Sequence, residues 1–501
     1  MGQMRFRVPE ANRFDDRQWN TAVVTGIEGI PWVGRVRWKE DILELERTID
    51  ESGKLSLIWP THEFGPITLT TSSLRCGDEL YSLPVELARG TLHRIRGRAL
   101  DWQRLGLKLP DAFCKSAEAA LDAFLDCISI HRHDPNIHHY AQQAIEHALA
   151  ASRPLTSSFV QQSVQARHQQ EAKLSTLLGV KLDAHARWRE PAELSLPAMS
   201  MACVGLEWGK IEAHSGRVDY DLFDDQIEWA RSNNLRVCGG PLIGLQSYAM
   251  PQWLYLLDDF DTFLDAACAF ARKTVLRYKG KVHLWSAAAG LNSPNELGLT
   301  DEQILRLAVS VIQTVRRADD RTPVILQLDL PWAEYLGQHE NAVSPIHLAD
   351  ALIRADLGLA GVCLDFNMNT SPGGSLPRDL IDVADLIDHW SLLGLPLIAS
   401  LQVPFDGKKD QQANAKVGLI SDWKQDYLAN TPKSESATGM PPSAVEMIQL
   451  LLSKPNVHAI LWSQASDIGP HYFPNGGFFD CQGNRRSCLD ALIQLRRQHV
   501  Q

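Results

Sequence analysis

The chain has 501 residues, of which 45% are hydrophobic and 22% are charged, so it is long enough for two or three globular domains. Its formal net charge is −11, and the acidic residues are spread along the whole sequence. The sequence contains no stripe of basic residues of the kind that follows a phosphate backbone, so we expect no nucleic acid partner. No uncharged apolar stretch has membrane-spanning length, so no membrane partner is expected either.

The first nineteen residues are charged and interrupted by Pro9, and they lack the apolar run of a signal peptide. We therefore expect a cytoplasmic protein, or a secreted one if the natural chain begins further upstream. The nine cysteines are scattered and contain no C-x-x-C pair, which is typical of reduced core thiols. The histidine cluster His131, His133, His138 and His139 is interrupted by Pro135, which favours a helix boundary over metal ligation. We predict no metal and no cofactor.

Residues 1–82 predict a β-rich, sandwich-like domain, which we interpret as a candidate carbohydrate-binding module. Its short β segments are separated by Gly and Pro and lie at 22–24, 35–38, 55–59 and 67–70. Helical spacing of apolar residues begins near Val85, and it continues at about 110–130, 135–152 and 156–178. The region 83–174 is therefore predicted as a helical linker.

From residue 175 to 501, strands and helices alternate in the manner of a parallel sheet with crossover helices. Eight strands are predicted, at 178–181, 202–206, 235–238, 282–285, 324–327, 361–364, 397–399 and 459–462. Eight such units close into a (β/α)8 TIM barrel.

Several stretches of this barrel region resemble the glycoside hydrolase family 10 xylanases, in the family's order. The segment 277–282 followed by Trp285 is similar to the family's "rYkGki..WDVVNE" stretch, and Pro251-Gln252-Trp253-Leu254 is similar to its "P.WL". Further similarities lie at 207–220, 225–230, 235–242, 395–398, 460–462 and 477–480. The resemblance implies a xylanase-like barrel and a substrate made of β-linked sugars.

The resemblance also implies that both catalytic glutamates of the family are replaced. Family members use one Glu as acid/base and a second as nucleophile, at the carboxyl ends of barrel strands. At the acid/base position this chain has Ala289-Gly290, and at the nucleophile position it has Ser400. The sugar-binding shell differs as well, with Gly240 and Gly244 at the family's His and Trp positions.

Other carboxylates are candidates for the missing chemistry. Glu207 and Asp365 follow the second and sixth strands at positions that face the sugar in the family, and two such acids can split their pKa values by mutual repulsion. Glu296, with Asn295, resembles a displaced "NE" of the acid/base motif. The alternative for Glu207 and Asp365 is a structural role in ion pairs or loop hydrogen bonds, and for Asn295-Glu296 a position before a helix cap at Thr300.

Substrate-binding candidates are aromatic, acidic and amide side chains near strand ends. Trp462 is the one residue of the sugar-binding shell that is kept, and it predicts an apolar stacking face. The others are Trp208, Asp329, Trp332, Asn367 and Asp467. For Trp332, packing beneath the barrel rim is an equal alternative.

We therefore predict a carbohydrate-active protein that hydrolyses or binds the O-glycosyl bonds of a β-linked oligo- or polysaccharide such as xylan. Two alternatives stay open: a non-catalytic pseudoenzyme that binds a glycan or a protein partner, and an enzyme of another reaction class on the same barrel. The sequence does not decide the sugar, the linkage or the oligomeric state.

Overall fold

The computed structural model describes residues 2–9, 14–130, 134, 136–246, 248–294, 296–339, 342–423 and 443–500. The N-terminal part contains two four-stranded sheets, with strand orders β4-β5-β1-β8 and β3-β2-β6-β7. A short helix, α1 (Asp16–Trp19), lies between the first two strands. The strands are β1 (Gly2–Arg7), β2 (Val23–Thr25), β3 (Pro31–Trp32), β4 (Gly34–Lys39), β5 (Ile42–Arg47), β6 (Lys54–Thr61), β7 (Gly65–Thr70) and β8 (Leu80–Ser82).

The two sheets share one apolar core, which supports the sandwich-like prediction for this region. Strand β1 alternates buried and half-buried residues, and Phe6 of β1 and Leu57 of β6 contribute to the same buried cluster. The pairing in this region is mixed, because β1 pairs in parallel with β8 and antiparallel with β5.

Three long helices follow the sheets: α2 (Leu83–Arg104), α3 (Asp111–Ser129) and α4 (Ile137–His168). The sequence predicted two helices at 135–152 and 156–178, but α4 is one continuous helix with Pro154 inside it. Packing of α4 against α2 and α3 offsets the backbone hydrogen bond that Pro154 cannot donate. None of the helices that the structure describes has an apolar stretch long enough to cross a bilayer.

The remainder of the chain is a (β/α)8 TIM barrel, closed by eight parallel strands in which the last pairs with the first. All eight strand predictions are confirmed. The barrel strands are β9 (Leu177–Leu182), β10 (Met201–Val204), β11 (Arg236–Gly239), β13 (Leu284–Ser286), β15 (Val324–Asp329), β16 (Gly361–Asn367), β18 (Leu397–Gln402) and β20 (Val457–Trp462). Four short strands lie in the rim loops: β12 (Ile243–Gly244), β14 (Ala288–Ala289), β17 (Thr370–Ser371) and β19 (Gly418–Leu419).

Helices surround the barrel and cover its outer face: α5 (Arg189–Ser195), α6 (Trp208–Ile211), α7 (Asp221–Ser232), α8 (Phe260–Tyr278), α9 (Asp301–Ala318), α10 (Pro345–Arg354), α11 (Leu380–Ser391), α12 (Ala444–Ser453) and α13 (Ser487–His499). Helix α2 is tied to α11 by Arg94, whose guanidinium lies 2.7 Å from the carboxylate of Asp379 and 3.0 Å from that of Asp382. The domain boundaries predicted after residues 82 and 174 stay predictions.

Side chains alternate between the two faces of each barrel strand, and they form two separate buried clusters. Side chains that face the strand–helix interface belong to one large cluster, whereas the inward-facing residues form a second cluster. The inner cluster contains Met201, Cys203, Cys238, Ile325, Cys363, Ile398, Ala459 and Leu461. Because side chains repeat with period two along a strand, the next inward residues after Ile325, Cys363 and Ile398 are polar ones at the carboxyl-terminal rim.

Candidate active site

Two aspartates meet at the carboxyl-terminal rim, on neighbouring strands. Asp329 ends β15, and in the ladder with β16 it lies directly opposite Asp365. Neighbouring strands are about 4.8 Å apart, so two side chains that face inward at the same level are close. Burial, and then the charge of Asp365, raise the pKa of Asp329 to about 7. The two carboxyl groups therefore interact strongly.

Amide side chains fix the orientation of Asp329. The side-chain amides of Gln246 and Gln327 donate to its two carboxylate oxygens, the latter at 3.1 Å. The side chain of Asn292 makes two hydrogen bonds with the backbone of Asp329: its Oδ1 accepts from the N–H at 3.1 Å, and its Nδ2 donates to the carbonyl oxygen at 2.7 Å. Tyr335 in turn accepts a hydrogen bond from Asn292 at 2.9 Å. Asp329 is thus held in one geometry.

Asp365 receives a different set of donors. The hydroxyl of Ser400 donates to its Oδ1 at 2.5 Å, and Nδ2 of Asn367 donates to its Oδ2 at 2.7 Å. Burial raises the pKa of Asp365, but these two donors and the ammonium group of Lys181 oppose the rise by stabilising the carboxylate. Asn367 is 7% exposed, and its Oδ1 receives no hydrogen bond from any residue that the structure describes.

Two adjoining cavities open above this pair of aspartates, with volumes of about 460 Å³ and 340 Å³. The larger one contains Asp329, and the smaller one contains Lys181, Glu207 and Ser400. The two cavities share a set of lining residues: Gln246, Tyr248, Asp365, Asn367, Tyr472 and Phe473. The rings of Tyr248 and Tyr472 lie 4.8 Å apart between their centroids, so an aromatic pair from two different loops borders both cavities.

Glu207 lies in the smaller cavity together with Asp365, and two lysines lie beside its carboxylate. Its carboxylate is 2.9 Å from Nζ of Lys210 and 3.8 Å from Nζ of Lys181. Burial lowers the pKa of Lys181, yet the charges of Glu207 and Asp365 outweigh burial and the net pKa is raised. Glu207 is therefore paired with two lysines, whereas Asp365 lies opposite Asp329 in the strand ladder.

Glu296 borders the larger cavity on its exposed side, where its carboxylate accepts a hydrogen bond from the hydroxyl of Tyr255 at 3.0 Å. Its sequence neighbour Asn295 lies outside the described residues, as do His131, His133 and Pro135. A catalytic role for Glu296 stays a prediction.

The predicted tryptophans differ in their access to the cleft. Trp462 is 1% exposed, its ring lies between Phe405 and Phe478 at 5.6 Å and 5.1 Å, and it lines neither cavity. Its face is therefore not available for stacking in this conformation. Trp208 borders the smaller cavity, although it is only 2% exposed. Trp332 lines neither cavity, and the guanidinium of Arg378 lies 5.0 Å from its ring centre.

Asp467 is fully occupied by protein donors. It accepts hydrogen bonds from Arg486 at 2.6 Å, from the backbone N–H of Gly477 at 2.7 Å and from Gln464 at 2.6 Å. Together with Asp410 and His471 it forms a cluster whose possible ligand atoms lie within 4.8 Å of one another. His471 is already 2.9 Å from Asp410, so the cluster is an ion-pair network that supports the rim.

The sequence reasoning missed several residues of the cleft. Gln246, Tyr248 and Tyr472 come from loops without a motif, and no local signal indicates them. Asp183 borders the smaller cavity, where burial raises its pKa to about 6 although Ser466 and the backbone of Ala465 donate to it. Asp183 directly follows the first barrel strand, and that position is the signal that would have found it.

Gly290, which follows β14, has a φ of +71°, and a Cβ atom there would lie 2.9 Å from the side chain of Gln246. The side chain of Gln246 occupies the space beside Gly290, and its amide donates a hydrogen bond to Asp329.

Several solved structures are similar to this chain. The chain is similar to xylanase 10B from Thermotoga maritima, with 15% identity over 66% of this chain and 98% of that one and a TM-score of 0.47. It is similar to a family 10 enzyme from Paenibacillus barcinonensis, with 14% identity, the same two coverages and a TM-score of 0.47. An intracellular xylanase from Thermoanaerobacterium saccharolyticum, in complex with xylotriose, has 13% identity over 64% of this chain and 96% of that one, with a TM-score of 0.46. These likenesses concern the fold alone. No family model and no curated protein matches this chain.

Proposed function

We propose that the rim cleft hydrolyses a glycosidic bond of a β-linked oligo- or polysaccharide, with Asp329 and Asp365 as the reacting pair. The observation that carries this proposal is the coupled pair of carboxyl groups at the floor of two polar cavities. The amides of Gln246 and Asn367 and the rings of Tyr248 and Tyr472 border both cavities, and such groups suit sugar hydroxyls and sugar faces.

The environments of the two aspartates assign their roles. Asp329 has a pKa of about 7, so a large share of it carries a proton at neutral pH, as a general acid must. Asp365 has more groups that stabilise its charge, among them Ser400, Asn367 and Lys181. Burial raises the pKa of both groups, and the difference between their hydrogen-bond donors divides the acid from the base within this pair.

The reaction then follows the two-carboxylate scheme. An oxygen of Asp365 attacks the anomeric carbon while Asp329 gives its proton to the departing glycosidic oxygen. In the second step, the Asp329 carboxylate takes a proton from water, and that water replaces Asp365 at the anomeric carbon. Carboxyl groups about 5 to 5.5 Å apart favour this retaining route, and side chains that face inward from neighbouring strands suit that separation better than the wider one of inverting enzymes.

A second candidate is a glycan-binding barrel without turnover. It is favoured by Glu207, whose charge is compensated by Lys181 and Lys210, and by Ser400, which stands where the family resemblance places the nucleophile. In this case the same cavities bind a saccharide and Asp365 serves as a hydrogen-bond acceptor.

The deciding experiment is a hydrolysis screen on xylo- and gluco-oligosaccharides. It compares the parent protein with Asp329→Asn, Asp365→Asn and Glu207→Gln, and with Asp126→Asn on the exposed face of α3 as the matched control. We expect Asp365→Asn to lose about 10³-fold in kcat/KM. Asp329→Asn should lose as much on natural substrates, yet recover on aryl glycosides, whose leaving groups need no proton.

The outcomes separate the two candidates. Saccharide binding without turnover in the parent, measured by calorimetry, would establish the glycan-binding barrel. Turnover that survives in Asp365→Asn but is lost in Glu207→Gln would instead return the reaction to Glu207, as the sequence first suggested. A parent that neither binds nor hydrolyses any saccharide of the panel overturns both.

A further inference from the structure

The N-terminal sheet formed by β3, β2, β6 and β7 packs on the barrel at its carboxyl-terminal rim. The backbone N–H of Thr68 on β7 donates to the carbonyl oxygen of Pro377 at 2.8 Å. A separate buried cluster joins the sheet to the rim loops and contains Ile58, Leu376, Ile420 and Trp423. The sheet therefore sits on the side of the barrel that carries the candidate active site, beside the loops that follow the sixth and seventh strands.

The contact is also close beside Asp329. Gly337, in the loop that follows β15, lies so near to β2 that a Cβ atom on it would be 2.5 Å from Cγ1 of Val23. The next residue, Gln338, donates from its side-chain amide to the backbone carbonyl of Asn20. Because Gly337 has no side chain, Val23 packs directly on the loop backbone. The hydrogen bond from Gln338 to Asn20 fixes the other end of the segment 20–23.

The segment 20–23 consequently lines the larger cavity. Asn20, Thr21 and Val23 border it together with Asp329 and Asp365. Thr21 and Val23 are anchored, since the Thr21 hydroxyl donates to the carbonyl of Gln18 at 2.6 Å and Val23 is 4% exposed. Asn20 is exposed, so replacing its side chain removes no contacts of the buried core.

The charges around this cavity indicate the kind of ligand. Its described lining contains no lysine or arginine, whereas it contains the four acids Asp329, Asp365, Glu296 and Glu334. Only Glu334 has an arginine partner nearby, Arg378 at 2.7 Å. The remaining polar lining is largely amide and hydroxyl, for example Gln246, Gln338, Asn367 and Tyr335. Such a surface repels anionic groups and binds hydroxyls.

We propose that the N-terminal sheet forms the outer wall of the substrate cleft, that segment 20–23 selects saccharides long enough to reach from Asp365 to Asn20, and that the barrel acids of the larger cavity favour neutral ones. This inference rests on the proposed function of the barrel rim. It assigns the N-terminal region a part in substrate selection within the barrel's own cleft, and Asn20 is its specificity-determining residue.

The test measures affinity by calorimetry for neutral xylo-oligosaccharides from disaccharide to hexasaccharide, and for the same series substituted with uronic acid. The full chain is compared with Asn20→Trp, Asn20→Ala and Gln161→Trp. The last variant is a control that places the same ring on an exposed amide position of α4, remote from both cavities. Thermal melting verifies that each variant is folded.

We expect Asn20→Trp to weaken binding of the long neutral saccharides by about tenfold or more, which corresponds to ~1.4 kcal/mol, and to leave the disaccharide within twofold. The control should match the parent, and the uronic acid series should bind more weakly throughout. A folded Asn20→Trp and Asn20→Ala that both bind every length like the parent would overturn the wall while the proposed function stands. Tighter binding of the uronic acid series would overturn neutral selection. A parent without affinity for any saccharide overturns the proposed function, and this inference with it.

Discussion

Replacing Asp329 with asparagine should change how the stability of the protein depends on pH. The pKa of Asp329 is raised from an ordinary value of 3.8 to about 7, first by burial and then by the charge of Asp365. The folded protein therefore binds this proton more tightly than the unfolded chain does. The contribution of the proton to stability is complete at low pH and is lost as the pH rises from about 4 to about 7.

The magnitude follows from the two pKa values. Each pKa unit is worth ~1.4 kcal/mol, so a difference of about three corresponds to at most ~4 kcal/mol. Because the Asp329 side chain keeps some contact with solvent, which screens its charge, we expect about half of this, ~2 kcal/mol. Relative to the parent, Asp329→Asn should therefore gain ~2 kcal/mol in unfolding free energy between about pH 4 and about pH 8.

Urea unfolding at a series of pH values provides the assay, with the fluorescence of the 14 tryptophans as the signal. Asp126→Asn, on the exposed face of α3, is the control and should follow the parent at every pH. A free-energy difference between parent and Asp329→Asn that stays constant over this pH range would refute the reasoning. It would mean that Asp329 is ionised throughout and is no candidate for the proton donor.

Three further predictions concern the framework of the site. Arg94→Ala should cost ~3 kcal/mol in urea unfolding because the buried carboxylate of Asp379, at the start of α11, loses its arginine partner, and a cost below ~1 kcal/mol would contradict the ion-pair assignment. Trp462→Leu should cost ~3 kcal/mol in stability and leave saccharide affinity unchanged; weaker binding at unchanged stability would restore the stacking role. Gly90→Ala should cost ~2 kcal/mol and lower the melting temperature, since a Cβ atom there would be 2.0 Å from the carbonyl oxygen of Thr70; an unchanged melting temperature would show that α2 and β7 separate easily.

The barrel could be predicted from the sequence because its strands are local signals. Each is a short run of residues that are mostly apolar, many of them β-branched, bounded by turn residues, and such runs are typical of strands buried on both faces. The third strand illustrates the precision: residues 235–238 were predicted, and the structure has Arg236–Gly239. The resemblance to family 10 xylanases gave the order of the units as well.

Several elements of the N-terminal region were not predicted, among them strands β3, β5 and β8. Strand Gly2–Arg7 was overlooked, although its alternation of Met4 and Phe6 with polar residues is that of a half-buried strand. Helix α4 was divided in two because Pro154 is a strong local signal for a helix end. Tertiary packing against two neighbouring helices overrides that signal, and packing of this kind is not visible in a local pattern.

The sequence named residues that border the two cavities, and their roles and pairing stay predictions. The sequence named Asp329, Asp365 and Glu207, and it paired the last two. That Asp329 lies opposite Asp365 depends on the register between β15 and β16, and the contact of Lys181 with Glu207 depends on how β9 and β10 come together. Both are properties of strands distant in the chain, so no local pattern contains them.

The backbone hydrogen bond from Thr68 to Pro377 makes one amide proton a reporter on the cleft. Thr68 is 2% exposed, and its amide exchanges with solvent only when this hydrogen bond breaks. Separation of the N-terminal sheet from the rim loop breaks it and removes the segment 20–23 from the larger cavity. The exchange rate of a single amide, far in sequence from either aspartate, therefore sets an upper limit on how often the cavity opens on that side.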